Sequence, residues 1–403
     1  MRTTWIRFLT PLLLWLAAPG PPAGLEAWAD AVALPWAFLA PWVPLPWLWA
    51  VQAEAAAGTR RTWRTWALDL AVGYGCVWAA GAWVAMVSPL GLAAGGLVLA
   101  LPFPLAGRAL ASIPSRWACS LTVPLVWTAL EMALRAVPLV SLPYVSIAPS
   151  AAGWPVFLPL AALGGAPLVA AILACPSGVV IDLLRGRPGA SRVGPAVVLV
   201  LAVISWAWPP TQSVGEPVRI AAIQAAVPQN LKGTSVGAEA SWKRHAALTL
   251  KAGLVDPPPD LVVWPETMFP YPLSEPAVER SAALDHWGTG VGALTFTAGQ
   301  AEDAERLLVR SHVVGSLLGG RSALLLGAIE YGRRAGAWRT FNTALLYGRD
   351  GVRAARYRKR HMVPMGEWNP FLAYLPGHER LRAWAAGAAV RLPDMQPGHD
   401  VPV

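Results

Sequence analysis

Long apolar stretches separated by short polar connections fill the first half of the chain, and this pattern stops near residue 210. A helix needs about 20 apolar residues to cross a bilayer, and about seven stretches approach that length. The predicted spans are 5–20, 31–52, 65–87, 89–107, 117–137, 154–176 and 193–209. Prolines within them, such as Pro35 and Pro41, predict kinked or re-entrant segments. The pattern therefore predicts a multi-span α-helical membrane domain over residues 1–210.

Beyond residue 210 the pattern changes to short apolar runs that alternate with amphipathic stretches. The runs 218–224, 260–264, 292–297, 322–328 and 343–347 predict strands, and the stretches 237–255 and 302–319 predict helices. Alternating strands and helices favour a layered α/β domain. We therefore predict that residues 211–403 form an α/β domain.

Composition supports the membrane assignment, because 55% of the 403 residues are hydrophobic and only 14% are charged. The formal net charge is +9, but the arginines stand singly or in pairs between apolar blocks. That distribution is typical of topology signals in membrane proteins and differs from the basic stripe of a nucleic-acid-binding protein. We therefore expect no nucleic-acid partner.

The distribution of arginines also predicts the orientation of the spans. Arginines occupy alternate connections, at Arg2, Arg7, Arg60, Arg61, Arg64, Arg108, Arg116, Arg185, Arg187 and Arg192. The intervening connections, at 21–30, near 88 and at 138–153, contain neither Lys nor Arg. Because positive charge accumulates on the cytoplasmic side, the amino terminus is predicted inside and residues 211–403 outside. The first span resembles a signal peptide, but the spans after it favour an uncleaved anchor.

Few polar groups interrupt the predicted spans. Asp69 and Glu131 lie deepest in apolar sequence, and such residues usually face a bundle interior or an aqueous path, of which a path for lipid headgroups is one alternative. Cys76, Cys119 and Cys175 all lie in apolar stretches and are predicted to be packing residues. The histidines are dispersed without the spacing of metal ligands. The sequence therefore predicts neither a metal nor another cofactor.

Two residues of the second half are candidates for catalysis. Glu266 follows the predicted strand 260–264, and a carboxylate at a strand end is held rigidly enough to act as a base. Lys359 is one of only four lysines among 32 basic residues, so a merely solvated cation at this position would be expected to be Arg. Two plainer interpretations stay open at this point. Glu266 could cap a turn, and Lys359 could belong to a solvated basic run.

Three motifs of the second half resemble a known superfamily. They are Trp264-Pro265-Glu266, Phe341-Asn342-Thr343-Ala344 and the run Tyr-Arg-Lys-Arg-His-Met-Val-Pro-Met-Gly-Glu at residues 357–367. These motifs resemble the nitrilase, or carbon–nitrogen hydrolase, superfamily. With the membrane half in front, the chain is similar to the apolipoprotein N-acyltransferase family. The resemblance implies an αββα sandwich in which Glu266 is the general base, Lys359 stabilises an oxyanion and Glu367 is a supporting acid.

The function implied by the resemblance is the last step of bacterial lipoprotein maturation. An acyl chain would pass from a glycerophospholipid, through a cysteine thioester, to the α-amino group of the diacylglyceryl-cysteine of an apolipoprotein. The site would lie on the extracytoplasmic side of the bacterial inner membrane.

The family's nucleophilic cysteine follows a further strand after a loop that Pro397-Gly398 resembles. These 403 residues contain no such cysteine, so we expect a C-terminally incomplete domain that is inactive as given. Two alternatives remain. One is a catalytically dead membrane protein that binds lipid or lipoprotein, and the other is a membrane-tethered amidase.

Overall fold

The chain divides into two compact units, Met1–Ser213 and Val214–Val403, in the computed structural model. The structure describes residues 5–17, 36–86, 89–136, 145–153, 157–207, 215–227, 235–269, 273–274, 304–334, 337–363, 367 and 395–398. The first unit is helical, and the second contains a β-sheet. The assignment of membrane and catalytic roles to the two halves, 1–210 and 211–403, stays a prediction.

The described part of the first unit consists of helices. They are α1 Leu9–Ala17, α2 Leu45–Ala56, α3 Trp63–Gly81, α4 Pro89–Ala100, α5 Pro102–Ser112, α6 Cys119–Ala136, α7 Leu158–Leu184, α8 Pro188–Ser191 and α9 Val193–Ala207. Short 3₁₀ segments lie at Trp36–Trp42, Ala82–Met86 and Ala148–Gly153. Within the described residues, three helical stretches are long and apolar enough to cross a membrane: Gly91–Ser112, Pro159–Leu184 and Pro188–Ala207. The other predicted spans stay predictions.

A kink interrupts α7 where two glycines meet. Gly164 and Gly165 leave helical geometry, and Gly165 has a φ of +64°, in the left-handed region that glycine adopts without steric cost. Pro167 lies two residues after Gly165 and offers no backbone N–H to the preceding turn. Kinked spans were expected from the prolines, and in α7 the glycines provide the bend itself.

Charged side chains are buried inside the first unit, where they pair with each other. Arg7 and Asp69 are fully buried, and the Arg7 Nη1 atom lies 2.7 Å from Asp69 Oδ1. Arg7 also pairs with Glu54, and Asp69 also pairs with Arg61. The indole Nε1 of Trp47 donates to Asp69 Oδ1 at 2.8 Å. Asp69 therefore faces the interior of the helical unit, and through Arg7 it ties the first helical turns to α2 and α3.

Glu131 is also buried and fully engaged in hydrogen bonds. Its Oε1 accepts from Trp127 Nε1 at 2.7 Å and from the Ile147 backbone N–H at 2.9 Å. Its Oε2 accepts from the Ser146 hydroxyl at 2.7 Å. These bonds connect α6 to the segment before the 3₁₀ turn at 148–153, which is a structural use of the carboxylate. The cysteines predicted to be packing residues are free and buried, at Cys76, Cys119 and Cys175.

The second unit contains a mixed sheet. Its strands are β1 Ile220–Ala222, β2 Leu261–Val263, β3 Leu273–Ser274, β4 Ala323–Arg334, β5 Ala337–Tyr347 and β6 Arg353–Arg358. Its helices are α10 Ser235–Gly253 and a π-helical segment at Ala304–Leu317. Among the described residues the strand order is β1-β2-β4-β5-β6, with β3 also on β4. The first three of these run parallel and the last three antiparallel, so the predicted α/β class is confirmed.

Most predicted elements of this unit correspond to observed ones with different ends. The predicted strands 218–224, 260–264, 322–328 and 343–347 correspond to β1, β2, β4 and β5, and the predicted helices 237–255 and 302–319 correspond to α10 and the π-helical segment. β4 and β5 extend well past their predicted ends because they pair continuously with each other. The predicted strand 292–297 lies outside the described residues. β6 is a strand that the apolar pattern does not predict.

One face of the sheet carries the hydrophobic core. Leu324, Leu326 and Ala328 alternate along β4 and are buried, as are Leu345 and Tyr347 on β5. This row packs with Val309, Val313, Val314 and Leu318 of the π-helical region, and Leu248 and Ala252 of α10 pack against the same cluster. Because successive side chains of a strand point to opposite faces, the residues between these positions lie on the other face.

The buried charges of the first unit lead to a testable prediction. Replacement of Arg7 by Gln removes the partner shared by Asp69 and Glu54 and leaves carboxylate charge uncompensated in a buried position. Such a loss costs about 3–5 kcal/mol. We expect a large fall in the unfolding temperature of the Arg7→Gln protein in detergent. The matched control is Arg64→Gln, at an exposed position, which should change that temperature little. Equal effects of the two variants would contradict the proposed structural role of the cluster.

Candidate active site

Glu266 lies in a tight turn that follows β2. The Met268 N–H donates to the Pro265 carbonyl at 3.3 Å and closes the turn around Glu266 and Thr267. Thr267 has a φ of +55°, which is an uncommon and strained conformation for a β-branched residue. The turn is fixed on both sides, because Trp264 N–H donates to Leu325 and Phe269 N–H donates to Gly327. β4 therefore holds the backbone of Glu266 in one place.

A glycine on β4 makes this close approach possible. A Cβ atom on Gly327 would lie 2.6 Å from the Cα of Glu266 and 2.6 Å from the Pro265 carbonyl oxygen. No side chain fits in that space without displacing the turn. Gly327 therefore lets the backbone that carries Glu266 pack directly against the sheet.

Aromatic packing supports the same turn from the core side. The Trp264 ring is buried, and its Nε1 donates to the Thr249 hydroxyl at 2.9 Å. The His245 ring lies with its centroid 4.7 Å from that of Trp264. Burial lowers the pKa of His245, although a hydrogen bond to the Ser241 carbonyl acts in the opposite direction. The His245 ring therefore packs against the strand end that leads into Glu266.

Lys359 comes directly after β6, and the strand pairing sets its position. The Lys359 N–H donates to the Asn342 carbonyl at 2.8 Å, which continues the β5–β6 ladder by one residue. Thr343 pairs with Arg358, so Asn342 lies opposite Lys359 and their side chains share a face. On its other side, the Lys359 carbonyl accepts from the Gly398 N–H at 2.8 Å.

The side chains of Glu266, Lys359, Glu367 and Asn342 meet at this face. Lys359 Nζ lies 2.7 Å from Glu266 Oε1 and 3.0 Å from Glu367 Oε1. Asn342 Nδ2 donates to the same two oxygens, at 2.5 Å and 2.7 Å. One ammonium and one amide thus hold two carboxylates together. The Glu266 side chain is 59% exposed, whereas that of Glu367 is only 13% exposed.

Glu367 is fixed by further hydrogen bonds that leave it little freedom. Its Oε2 accepts from the Val363 backbone N–H at 2.7 Å. Its own N–H donates to the Val363 carbonyl at 2.9 Å, and its carbonyl accepts from the Met395 N–H at 2.8 Å. Glu367 therefore lies behind Lys359 as a fixed counter-charge, while Glu266 is the carboxylate that solvent reaches.

The electrostatics of the cluster favour a charged lysine. Partial burial acts to lower the pKa of Lys359, but the hydrogen bonds and charges of Glu266 and Glu367 outweigh it. The pKa of Lys359 therefore lies above its ordinary value of 10.5. At neutral pH the side chain is an ammonium, which donates hydrogen bonds and attracts negative charge.

The three site residues predicted from the sequence, Glu266, Lys359 and Glu367, are all in the cluster. Lys359 is paired with carboxylates, so the interpretation of a solvated basic run does not describe it. Glu266 does lie in a turn, but its side chain contacts Lys359. Asn342 is the member whose contacts sequence reasoning missed, and the only signal was its place in the Phe341-Asn342-Thr343-Ala344 motif. The roles of these residues stay predictions.

Comparison with known proteins gives a consistent family. The chain is 29% identical over 389 residues to an apolipoprotein N-acyltransferase of Pseudomonas aeruginosa strain UCBPP-PA14, covering 90% of this chain and 68% of the relative. It is 32% identical over 304 residues to the enzyme of that name from Azotobacter vinelandii, covering 68% of this chain and 56% of the relative. A Brucella suis protein of the same name is 26% identical over 204 residues, covering 48% of this chain and 32% of the relative. No protein-family model matches the chain.

The raised pKa of Lys359 predicts how stability depends on pH. Its ion pairs contribute fully below pH 10.5 and are lost as the pH rises through the higher folded-state pKa. We expect Lys359→Gln to unfold more easily than the wild type by about 1 kcal/mol near neutral pH. That difference should shrink in strongly alkaline solution, as measured by denaturant unfolding across the range. Lys243→Gln, which removes an exposed pair with Glu239, is the control and should show a smaller difference. A difference for Lys359→Gln that stays constant to high pH would contradict the prediction.

Proposed function

We propose that this chain, which belongs to the apolipoprotein N-acyltransferase family, carries the acid–base part of a lipoprotein acylation site. The donor would be a glycerophospholipid, and the acceptor would be the α-amino group of the diacylglyceryl-cysteine of an apolipoprotein. The observation that carries the proposal is the Lys359 ammonium held between Glu266 and Glu367. The shared name of the relatives supports the acceptor class.

Glu266 is proposed to be the general base. A thiol with a pKa of about 8.5 is mostly protonated at neutral pH and needs a nearby base to become a good nucleophile. Glu266 suits this task because its side chain is reachable while its backbone is fixed against β4. Glu367 is less suited, because it is largely buried and bound to a backbone N–H. Its proposed role is to support Lys359 and Glu266.

Lys359 is proposed to stabilise the oxyanion of the tetrahedral intermediates. An ammonium has three N–H donors, and two of those of Lys359 are directed at Glu266 and Glu367. Among the described residues the third donor has no acceptor. A donor that is already in place lowers the energy of a developing oxyanion without further reorganisation. Asn342 would assist by holding the two carboxylates where Lys359 needs them.

The proposed first half-reaction transfers the acyl group to sulfur. Glu266 takes the thiol proton as the sulfur attacks the ester carbonyl of the phospholipid, and Lys359 binds the resulting oxyanion. The intermediate collapses with cleavage of the carbon–oxygen bond. The proton on Glu266 passes to the departing lysophospholipid alcohol, and a thioester remains.

The proposed second half-reaction uses Glu266 and Lys359 again, now to transfer the acyl group from sulfur to the acceptor amine. The α-amine of the acceptor attacks the thioester carbonyl, and Lys359 again binds the oxyanion. The carbon–sulfur bond breaks, the amide forms, and Glu266 relays the amine proton to the leaving thiolate. One nucleophile then serves two substrates in turn, which predicts ping-pong kinetics.

The finer structural assignments belong to the same proposal. We infer that the mixed sheet and its helices are part of an αββα nitrilase-like sandwich. The alternation of arginines between connections supports an extracytoplasmic second unit and a bacterial inner-membrane location. Both substrates carry acyl chains, so a site tied to a membrane domain would meet them where they are held.

The chemistry of Glu266 can be tested directly on the protein as encoded in its source cells. The enzyme is purified from membranes and incubated with a glycerophospholipid that carries a radiolabelled acyl chain. We expect labelled protein from which hydroxylamine releases the label, as it does from a thioester. Glu266→Gln should slow labelling by about 10²–10⁴-fold, because general base catalysis contributes that much. Glu239→Gln, an exposed carboxylate on α10, is the matched control and should label normally.

The same experiment distinguishes the competing functions. Addition of a diacylglyceryl-cysteine peptide should move the label to an amide that resists hydroxylamine. Lipid that binds without covalent labelling would favour a catalytically dead binding protein. Turnover of a carbon–nitrogen substrate with no labelling from phospholipid would favour a membrane-tethered amidase. Undiminished labelling of the Glu266→Gln protein would overturn the proposed role of Glu266.

The 403-residue chain expressed by itself gives a further prediction. Its only cysteines are Cys76, Cys119 and Cys175, which are all buried within the first unit. We therefore expect this polypeptide to form no hydroxylamine-sensitive acyl-enzyme and to fail in complementing a strain that lacks apolipoprotein N-acyltransferase activity. Thioester formation at wild-type rate would contradict this, and mass spectrometry of the labelled peptide would then identify the nucleophile.

A further inference from the structure

A second charged cluster lies on the opposite face of the sheet from Lys359. Glu330 of β4 pairs with Phe341 of β5, and Thr343 of β5 pairs with Arg358 of β6. Because side chains alternate along a strand, Glu330 and Arg358 share the face of Phe341 and Thr343. Lys359, the next residue after Arg358, lies on the other face. The two clusters are therefore separated by the thickness of the sheet.

Glu330 is buried, and both of its oxygens are occupied. Its Oε2 accepts from Arg358 Nε at 2.9 Å and from the Thr343 hydroxyl at 3.1 Å. Its Oε1 accepts from Arg356 Nη1 at 3.0 Å. The Glu330 side chain is 1% exposed, and that of Arg358 is 10% exposed. A carboxylate in this position is costly unless it is paired, so these bonds restrain the arginines strongly.

The position of Glu330 in the sequence makes the charge unexpected. It continues the buried apolar row of Leu324, Leu326 and Ala328 on the core face of β4. An apolar side chain at the end of that row would pack with less desolvation cost, because replacing a buried ion pair by hydrophobic residues is often neutral or stabilising. Stability alone therefore does not explain why a carboxylate stands there.

Arg358 is held by more than Glu330. Its guanidinium carbon lies 4.0 Å from the centroid of the Phe341 ring, which is a cation–π contact. Gly398 packs directly against the backbone of Arg358. A Cβ atom on Gly398 would clash with the Arg358 carbonyl oxygen and side chain, so only glycine allows this approach. With the Arg358 side chain fixed, the backbone that leads into Lys359 has little freedom.

We propose that Glu330 is a positioning residue that sets the place of the Lys359 ammonium through Arg358. This inference rests on the proposed function of Lys359, and it adds a residue that touches neither Lys359 nor the carboxylates described around it. A catalytic group must be held to within about 0.5 Å of its productive position. The end of β6 is where that precision is needed, because β6 is otherwise an exposed strand along most of its length.

The test measures the environment of the Lys359 amine without any need for activity. The full protein is labelled with ¹³C,¹⁵N-lysine and titrated by NMR in detergent. Only Lys232, Lys243, Lys251 and Lys359 give signals in these 403 residues, and single Lys→Arg variants assign them. The reference for a displaced amine is the double variant Glu266→Gln/Glu367→Gln, in which the local carboxylates are gone.

We expect Glu330→Gln to lower the titration midpoint of Lys359 most of the way toward that reference. The matched control is Glu239→Gln, which should shift the signal of its own partner Lys243 and leave Lys359 unchanged. If Glu330→Gln does not fold, Glu330→Gln/Arg358→Met removes both buried charges and should recover stability. The titration midpoint of Lys359 should stay low in that double variant, because the contact between Glu330 and Arg358 is still missing.

Two results would overturn the proposal. One is a wild-type Lys359 titration in Glu330→Gln, and the other is its return to the wild-type value in the double variant once stability is regained. Either would leave Glu330 with a purely structural role. Failure of the proposed function looks different. It would appear as undiminished acyl labelling in Glu266→Gln, whatever the lysine titration shows.

Discussion

A single ammonium shared between two carboxylates is the interaction on which the site depends. Glu266 and Glu367 bring their Oε1 atoms to the same lysine nitrogen, and two like charges at such distances repel unless a cation lies between them. The three residues are Glu266 in the turn after β2, Lys359 directly after β6, and Glu367 eight residues further along the chain. The ammonium therefore imposes a condition on the fold, which must bring three distant segments of chain to one point.

Sequence reasoning located this point because its signals are local. Glu266 follows an apolar run that Pro265 bounds, and this pattern predicts a strand end. Lys359 is conspicuous because the chain uses arginine almost everywhere else. The pattern of apolar and polar residues likewise predicted the helical first half and the α/β second half. Each of these features can be recognised without knowing which strands are neighbours.

The features that were missed depend on pairing between strands. β6 has no apolar alternation, since Arg353–Arg358 is polar and mostly exposed, and it becomes a strand only because β5 offers it a ladder. Asn342 contacts the carboxylates because the register places it opposite Lys359. The left-handed Thr267 is equally hidden, because nothing in a Trp-Pro-Glu-Thr sequence indicates a positive φ. Register and local strain are set by tertiary packing, which single-sequence patterns do not record.

The two faces of the sheet meet opposite physical requirements. Under the proposed function the face of Lys359 has to admit substrate, and the Glu266 side chain is more than half exposed there. An open face restrains its side chains less by packing, so the hydrogen bonds within the cluster are complemented by restraint from the covered face through the backbone. β4 serves both needs, with Gly327 receiving the Glu266 turn on one side and Glu330 binding the arginines of β6 on the other. A sheet transmits such restraint well, because fixing one side chain also fixes the direction of the next. The buried charges at Glu330 are therefore best understood together with the exposed charges at Lys359.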